Sequence, residues 1–133
     1  MSLAIVDASV LTSFYAADDH RHGKIRSRLA AGDALYAPAH IDAEVVSALR
    51  GMARKDRELE TAVPAALRHL AAFPIRRVPV SRLFERIWEL RGNVTAYDAA
   101  YVALAEQLGG PLITCDAKLA GAGGTHCVFD VIA

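Results

Sequence analysis

Short apolar runs alternate along this chain with longer segments in which apolar residues recur every three or four positions. The first run, Leu3 to Val6, does not alternate with polar residues, and this favours a strand buried on both faces of a parallel sheet. The pattern predicts further strands at residues 34–37, 75–80, 111–115 and 127–131. Strands that alternate with helices over one domain length indicate an α/β fold, a three-layer α/β/α sandwich around a parallel sheet.

The longer segments predict helices, several of whose boundaries depend on single residues. Asp19 is expected to cap the second helix, and Pro38 to open the third. Pro64 is expected in the first turn of the fourth helix, and Ser81 caps the fifth, in which Trp88 is a core residue. The predicted helices span residues 8–17, about 19–31, 38–52, about 59–72, 81–91 and 95–109, with a short turn or helix at 118–125.

The helix at residues 95–109 is apolar on almost every side and carries one carboxylate, Asp98, in its first turn. Thr95 is a good N-cap, and the sequence Gly109-Gly110-Pro111 ends the helix. A helix this apolar is expected to be buried, since a surface helix shows a charged face. Asp98 is therefore either a capping residue at the edge of the protein or an acid at the floor of a site.

Length and composition predict a single globular domain that spans residues 1–133. The length of 133 residues is enough for one domain with a core and too short for two. Hydrophobic residues make up 53% and charged residues 23%, a composition typical of globular proteins. No segment is apolar and long enough to span a bilayer, and the N-terminus lacks a signal peptide pattern. We therefore expect a cytoplasmic protein in which Cys115 and Cys127 are reduced, buried thiols.

Two acids, Asp7 and Asp116, directly follow predicted strands. In open parallel sheets the functional crevice lies beyond the carboxyl ends of the strands. Two more acids, Glu44 and Asp98, lie near the starts of helices, with Glu44 on the border of an apolar stripe. Taken singly, each of the four acids is explained as a helix cap or a first-turn acid.

Together, the four acids indicate a cation site. No lysine or arginine lies within three residues of Asp7, Glu44 or Asp98, although Lys118 lies beside Asp116. Carboxylates that converge without basic partners repel one another unless a cation lies between them. Oxygen ligands of this kind favour Mg²⁺ or Mn²⁺, the ions that serve phosphodiester hydrolysis most directly.

The net charge is consistent with such a site. Lysine plus arginine and aspartate plus glutamate each total 15, so the formal net charge is +0, and setting the four acids aside leaves four positive charges in excess. An acidic site in a mildly basic surface suits an enzyme that acts on a phosphate polymer, while scattered surface charges would give the same totals. Other candidates are Asp42 as a fifth acid, His20 and His22 in a polar loop, and a basic run that contacts RNA (Arg50, Arg54, Lys55, Arg57).

Four ordered motifs resemble those of PIN-domain ribonucleases, and among these the VapC-type toxins of bacterial toxin–antitoxin pairs. The motifs are Ile5-Val6-Asp7-Ala8-Ser9, Glu44-Val45-Val46-Ser47-Ala48-Leu49, Thr95-Ala96-Tyr97-Asp98-Ala99-Ala100-Tyr101 and Leu112-Ile113-Thr114-Cys115-Asp116-Ala117-Lys118-Leu119. The resemblance covers essentially the whole chain. It is carried most specifically by the third motif and by the Thr-x-Asp-x-x-Leu sequence of the fourth.

The resemblance implies a metal-dependent endoribonuclease that leaves a 5′-phosphate, with Mg²⁺ or Mn²⁺ as cofactor. All four acids would be catalytic residues and metal ligands: Asp7, Glu44 and Asp98 directly, and Asp116, which completes the acidic quartet, often through water. Ser9 and Thr114 match family positions that hydrogen-bond the acids or the metal-bound water.

The family also implies RNA as substrate, a cognate antitoxin protein as partner, and a homodimer. Apolar side chains that a small domain leaves unburied would support such contacts, and the candidates are Leu11, Phe14, Val46 and Leu49.

Two other function classes stay open at the level of sequence. One is a PIN-like module that binds RNA or protein with little turnover, against which the presence of all four acids argues. The other is phosphotransfer through a nucleophilic Asp7, which calls for a second acid at the position of Ser9. Cys115 is either a ligand for a soft metal or a packed thiol.

Overall fold

A parallel five-stranded sheet in the order β3-β2-β1-β4-β5 organises the molecule. The computed structural model describes residues 2–16 and 18–133. The strands are β1 (Leu3–Val6), β2 (Ala34–Pro38), β3 (Ile75–Val78), β4 (Leu112–Thr114) and β5 (Phe129–Val131). The helices are α1 (Ala8–Tyr15), α2 (His22–Leu29), α3 (Ile41–Ala53), α4 (Arg57–Ala72), α5 (Phe84–Glu89), α6 (Ala96–Leu108) and α7 (Ala117–Ala120), with a 3₁₀ turn at Val80–Leu83.

The central strand, β1, is paired on both sides. Ile5 lies opposite Tyr36 of β2 and opposite Leu112 of β4, and every pairing in the sheet is parallel. From β1 the chain first builds the sheet outward through β2 and β3, and later returns to add β4 and β5 on the other side. The change of direction between β1 and β4 opens a crevice at their carboxyl ends, and the predicted α/β fold is confirmed.

Helix α6 is the most deeply buried helix. Residues 99–105 are all buried, and Tyr101 has only 1% of its surface exposed. Its small alanines let it lie close to β1, β2 and β4, while α5 packs along its outer side. Thr95 caps the helix, and Gly109 ends it in the left-handed conformation with φ of 70°, which a glycine adopts without a steric cost. The predicted burial of this helix is confirmed.

Polar side chains and prolines move three predicted helix starts. Helix α2 begins at His22 rather than after Asp19, because Asp19 pairs with the Arg21 guanidinium at 2.9 Å and so stabilises the turn before the helix. Pro38 ends β2 opposite Val78, and α3 begins three residues later. The predicted end of the first helix, Ala17, lies outside the described residues.

Pro64 lies in the middle of α4 rather than in its first turn. The helix begins at Arg57, because the Asp56 side chain accepts the backbone N–H of Leu59 and so caps it. Pro64 is exposed, so water can solvate the backbone carbonyl that lacks its helical partner.

The fifth predicted helix is wrong in its start and in one core residue. Residues 80–83 form a 3₁₀ turn, Ser81 makes no capping bond, and α5 extends only from Phe84 to Glu89. Leu83 and Leu90 are buried as expected, but Trp88 is 67% exposed. The guanidinium of Arg91 lies over the Trp88 ring at 4.2 Å from its centroid.

The remaining expectations concern surface and thiols. Leu11 and Leu49 are fully buried, so they offer no surface to a partner, whereas Val46 is 42% exposed. Cys115 and Cys127 are free and partly buried. Within residues 2–16 and 18–133, no helix has the length and apolar character needed to cross a membrane.

Candidate active site

Asp7 lies at the carboxyl end of β1 and caps α1. Its Oδ1 accepts the backbone N–H groups of Ser9 and Val10 at 3.0 and 3.3 Å. The hydroxyls of Ser9 and Thr114 also donate to this carboxylate. Burial raises the pKa of Asp7, and these four hydrogen bonds oppose the rise. The result is a buried carboxylate, 6% exposed, whose orientation is fixed by donors on α1 and β4.

The hydroxyls of Thr114 and Ser9 join the ends of β1 and β4. Thr114 Oγ1 donates to Asp7 Oδ2 and accepts the backbone N–H of Asp116 at 3.0 Å. Ser9 Oγ accepts the backbone N–H of Cys115 at 3.0 Å. The hydrogen bonds of Thr114 set the position of Asp116 relative to Asp7.

Glu44 lies in the first turn of α3 and has two partners outside the acidic quartet. Its Oε1 accepts the Tyr101 hydroxyl at 2.7 Å and lies 3.0 Å from His40 Nε2. Burial alone would raise the pKa of Glu44, but the contacts with His40 and Tyr101 outweigh it and lower the pKa.

His40 and Tyr101 are site residues that the sequence did not predict. A histidine four positions before Glu44, and a tyrosine three positions after Asp98, each lie one helical turn from an acid, and this spacing is the signal that could have found them.

Asp98 combines a position in the first turn of α6 with a place at the site. Thr95 Oγ1 accepts the Asp98 backbone N–H at 3.2 Å, which is the predicted cap. Burial raises the pKa of the Asp98 carboxyl, and the negative charges of Asp116 and Glu44 raise it further. The capping residue is therefore Thr95, to which Asp98 donates only its backbone N–H, and the Asp98 carboxyl is left close to the other acids.

Asp116 follows β4 and caps the short helix α7. Its Oδ1 accepts the backbone N–H groups of Lys118 and Leu119 at 2.9 and 3.2 Å. Asp116 and Asp98 line one open cavity of about 520 Å³. Asp116 is therefore the most accessible of the four acids, and Asp7 is the most enclosed.

A chain of shared neighbours connects all four acids. Thr114 joins Asp7 to Asp116, and Asp98 is close enough to Asp116 and Glu44 for their charges to change its pKa. Burial raises the pKa of Tyr101, and the charges of Glu44 and Asp7 raise it further. The fold thus gathers at one edge of the sheet the four carboxylates that the sequence distributes over 110 positions.

The donor set fits a hard divalent cation. The acids supply only oxygen atoms. The pKa of Asp98 is raised first by burial and then by repulsion from Asp116 and Glu44, and a cation would relieve that repulsion. Within residues 2–16 and 18–133, no three His, Cys, Asp or Glu side chains are already arranged to hold a metal ion.

The other candidate ligands have different roles. Asp42 forms an ion pair with Arg77, with an Nε to Oδ2 distance of 2.9 Å, and therefore belongs to the contact between α3 and β3. Burial raises the pKa of the Cys115 thiol, which keeps it protonated at neutral pH and makes it a poor ligand for a metal.

The comparisons with known proteins agree with this geometry. The family model described as PIN domain matches residues 4–124. Ribonuclease VapC9 of Mycobacterium tuberculosis is 39% identical over 130 residues, 98% of each chain. The structure of VapC20 of the same species, a sarcin–ricin-loop-cleaving toxin, has a TM-score of 0.70 at 21% identity and covers 92% of this chain and 96% of that one.

A solved complex from a second bacterial species contains a chain with the same fold. The structure of VapBC2 of Rickettsia felis, bound to a DNA fragment from its promoter, includes a chain that matches with a TM-score of 0.67 at 9% identity. The match covers 98% of this chain and 99% of that one. At such identities the two structural matches establish the fold alone.

Proposed function

The chain belongs to the PIN domain family, and from that premise we propose that it is a metal-dependent endoribonuclease, the toxin of a VapBC-type toxin–antitoxin pair. The observation that carries the proposal is the convergence of four carboxylates at the switch point of a parallel sheet, where the charges of Asp116 and Glu44 add to burial in raising the pKa of Asp98. The relative named VapC9, a ribonuclease that matches over nearly its full length, supports RNA as the substrate.

Each acid contributes a different property to the reaction. Asp7, fixed by Ser9 and Thr114, is the rigid ligand at the floor of the site, and Glu44 and Asp98 are ligands on two different helices. Mg²⁺ or Mn²⁺, when bound, supplies positive charge that stabilises the attacking and leaving oxygens of a phosphodiester. Asp116, the most exposed acid, is placed to orient the attacking water.

The product follows from the direction of attack. Hydroxide derived from water forms a bond to the scissile phosphorus, the bond from phosphorus to the 3′ oxygen breaks, and that oxygen takes up a proton. The fragments carry a 5′-phosphate and a 3′-hydroxyl. We propose the cytoplasm as the cell location, because RNA is the substrate.

Cleavage of purified total RNA tests the proposal. The wild-type chain is expected to cut RNA when Mg²⁺ or Mn²⁺ is added and to stop when the metal is chelated. Asp98→Asn keeps the side-chain shape but removes a charged ligand, so we expect a loss of activity of about 100-fold or more, beyond the effect of losing an outer-shell partner. The control is Asp56→Asn, at the cap of α4 and outside the quartet.

Two results would contradict the proposal. If the wild type and Asp98→Asn degrade RNA equally in the presence of metal, the cleavage comes from a contaminant. If neither degrades RNA but both bind it, the chain is a binding module with little turnover.

We also propose a protein antitoxin as partner and a homodimer as the oligomeric state. The VapBC2 complex supports an antitoxin partner, and exposed apolar side chains such as Val46 and Phe84 leave surface for protein contacts. Light scattering of the chain, alone and after coexpression with its neighbouring gene product, measures both. A monomer whose mass that product leaves unchanged would contradict this proposal.

A further inference from the structure

The cavity beside Asp98 and Asp116 carries basic as well as acidic side chains. Arg91 and Lys118 line the same cavity of about 520 Å³ as the two acids. The proposed reaction uses Asp98 and Asp116 as acids of the site. It assigns no role to the two basic side chains, Arg91 and Lys118, in the same cavity.

Four of the twelve arginines, Arg28 among them, have a carboxylate partner within 4.0 Å. Arg21 pairs with Asp19, Arg77 with Asp42, and Arg86 with Glu106, at distances of 2.7 to 2.9 Å. Within the described parts of the chain, by contrast, neither Arg91 nor Lys118 has a carboxylate within 4.0 Å. Their charges are therefore available to an anion that enters the cavity.

Arg91 is also held in place before any ligand arrives. One of its terminal nitrogens donates to the Trp88 carbonyl at 2.8 Å, and its guanidinium lies over the Trp88 ring. An arginine stacked on an aromatic ring loses less side-chain freedom when it binds a phosphate. Its remaining N–H donors suit the bidentate geometry of phosphate oxygens.

We propose that Arg91 and Lys118 bind the RNA backbone phosphate next to the scissile one, on the Asp116 side of the site. This inference rests on the proposed function. With the scissile phosphate at the acids, a neighbouring phosphate of the same strand reaches Arg91 and Lys118 within the same cavity. The two cations there offset the repulsion between RNA and the carboxylates. The basic run at residues 50–57 extends from the end of α3 to the first residue of α4 and takes no part in lining this cavity.

The proposal is tested by the binding of a labelled single-stranded RNA of mixed sequence, measured by fluorescence anisotropy in the presence of Mg²⁺. The measurement uses the Asp98→Asn variant as background, so that the RNA is not cleaved. Adding Arg91→Gln is expected to weaken binding about tenfold, the value of one hydrogen bond to a charged group. It should also reduce the slope of log Kd against log salt by about 0.7, the loss of one phosphate contact on a single strand. Lys118→Gln is expected to reduce the slope similarly.

The matched control is Arg68→Gln, which removes the same charge from an exposed position on α4. It should leave both Kd and the salt slope within twofold of the background protein. Arg91→Lys keeps the charge but loses the bidentate geometry, so it should retain the slope and lose part of the affinity. Thermal unfolding of each variant identifies any that fail to fold.

The inference is overturned if Arg91→Gln and Lys118→Gln bind RNA as Arg68→Gln does, or if Arg54→Gln weakens binding and they do not. It is also overturned if they weaken binding of an acidic peptide or the antitoxin while RNA binding is unchanged. The proposed function fails separately: in that case the wild type does not cleave RNA with metal, whatever the salt slopes of these variants are.

Discussion

At the scale of single residues, the hydroxyl of Thr114 decides how two acids are placed. It is fully buried, donates to Asp7 and accepts the backbone N–H of Asp116. No water can replace it without opening the junction of β1 and β4. The site therefore depends on a neutral side chain that ligates nothing itself.

Replacing Thr114 by valine tests this role. The change keeps the side-chain shape, but the Asp116 N–H loses its acceptor and Asp7 loses one of its four donors. We therefore expect the free energy of unfolding to fall by about 1 to 3 kcal/mol. Metal affinity should fall about 10- to 100-fold, as for other partners of metal ligands. Urea unfolding and calorimetric titration with Mn²⁺ measure the two effects. Thr114→Ser keeps the hydroxyl and should lose far less of both.

The raised pKa values of Asp7 and Asp98 make the metal-free fold sensitive to pH. Burial is the first cause at both residues, with charges of Asp116 and Glu44 added at Asp98. In an unfolded chain an aspartate titrates near about 3.9. The folded protein thus holds these protons to higher pH than the unfolded chain, and ionising the two carboxyls lowers the stability of the fold.

We therefore expect the free energy of unfolding of the metal-free protein to fall as pH rises from about 4 through the two raised pKa values. The lowered pKa of Glu44 acts in the opposite direction, but its effect is complete above its unfolded value near about 4.3. Urea unfolding with a chelator from pH 4 to pH 7.5 measures the fall. Asp98→Asn should flatten it, and an equal slope in that variant would contradict the assignment.

At the scale of elements, the end of α6 packs closely against the start of β1, at the opposite end of that strand from Asp7. Gly110 follows the helix, and a Cβ built on it would lie 2.3 Å from Leu3 Cδ1 and 2.9 Å from the Leu3 carbonyl oxygen. The side chain could move away, but the carbonyl belongs to the central strand. Only glycine permits this approach.

A matched pair of glycine substitutions measures this contact. Gly110→Ala is expected to destabilise the protein by about 1 to 3 kcal/mol, the usual cost of overpacking a core. Gly51→Ala, in the exposed part of α3 with nothing within 4 Å of the new Cβ, should stabilise it by about 0.5 to 1 kcal/mol because alanine favours the helix. Thermal unfolding of both variants measures the two changes in stability. Equal changes in the two variants would show that α6 and β1 are not in tight contact at Gly110.

At the scale of the whole molecule, the order of the strands brings the four acids together. Asp7 and Asp116 follow β1 and β4, which are neighbours at the switch point. Helices α3 and α6 bring Glu44 and Asp98 to the same edge. Repulsion among four carboxylates makes this edge the part of the molecule that a divalent cation would stabilise most.

Thermal unfolding with and without metal tests that expectation for the whole chain. A saturating concentration of Mg²⁺ or Mn²⁺, about 100 times Kd, is expected to add about 2.7 kcal/mol to the free energy of unfolding. The increase should be larger at pH 7.5 than at pH 5, because protonated carboxyls do not bind metal. Asp98→Asn should lose most of the increase. A monovalent salt at the same ionic strength is the control, and an equal gain with it would contradict specific binding.

The sequence by itself determined the sheet-and-helix alternation, the burial of α6, and the positions of Asp7 and Asp116 at strand ends. These features depend on local pattern: branched apolar runs form buried strands, and a helix without a charged face must be enclosed. Helix α6 begins after Thr95, whose side chain caps it, and ends at Gly109, which adopts the left-handed conformation. The family motifs added the identity of Glu44 and Asp98 as partners of the other two acids.

Only the tertiary structure decided the surroundings of those acids. That Tyr101 donates to Glu44, that Thr114 donates to Asp7, and that Asp42 pairs with Arg77 are contacts between elements distant in sequence. Trp88 was wrongly placed in the core for the same reason, since its helical spacing does not reveal whether a neighbour covers it. The local sequence pattern determines on which face of its helix or strand a residue lies. The packing of elements that are distant in sequence determines which residues its side chain contacts and which opposite charge, if any, it pairs with.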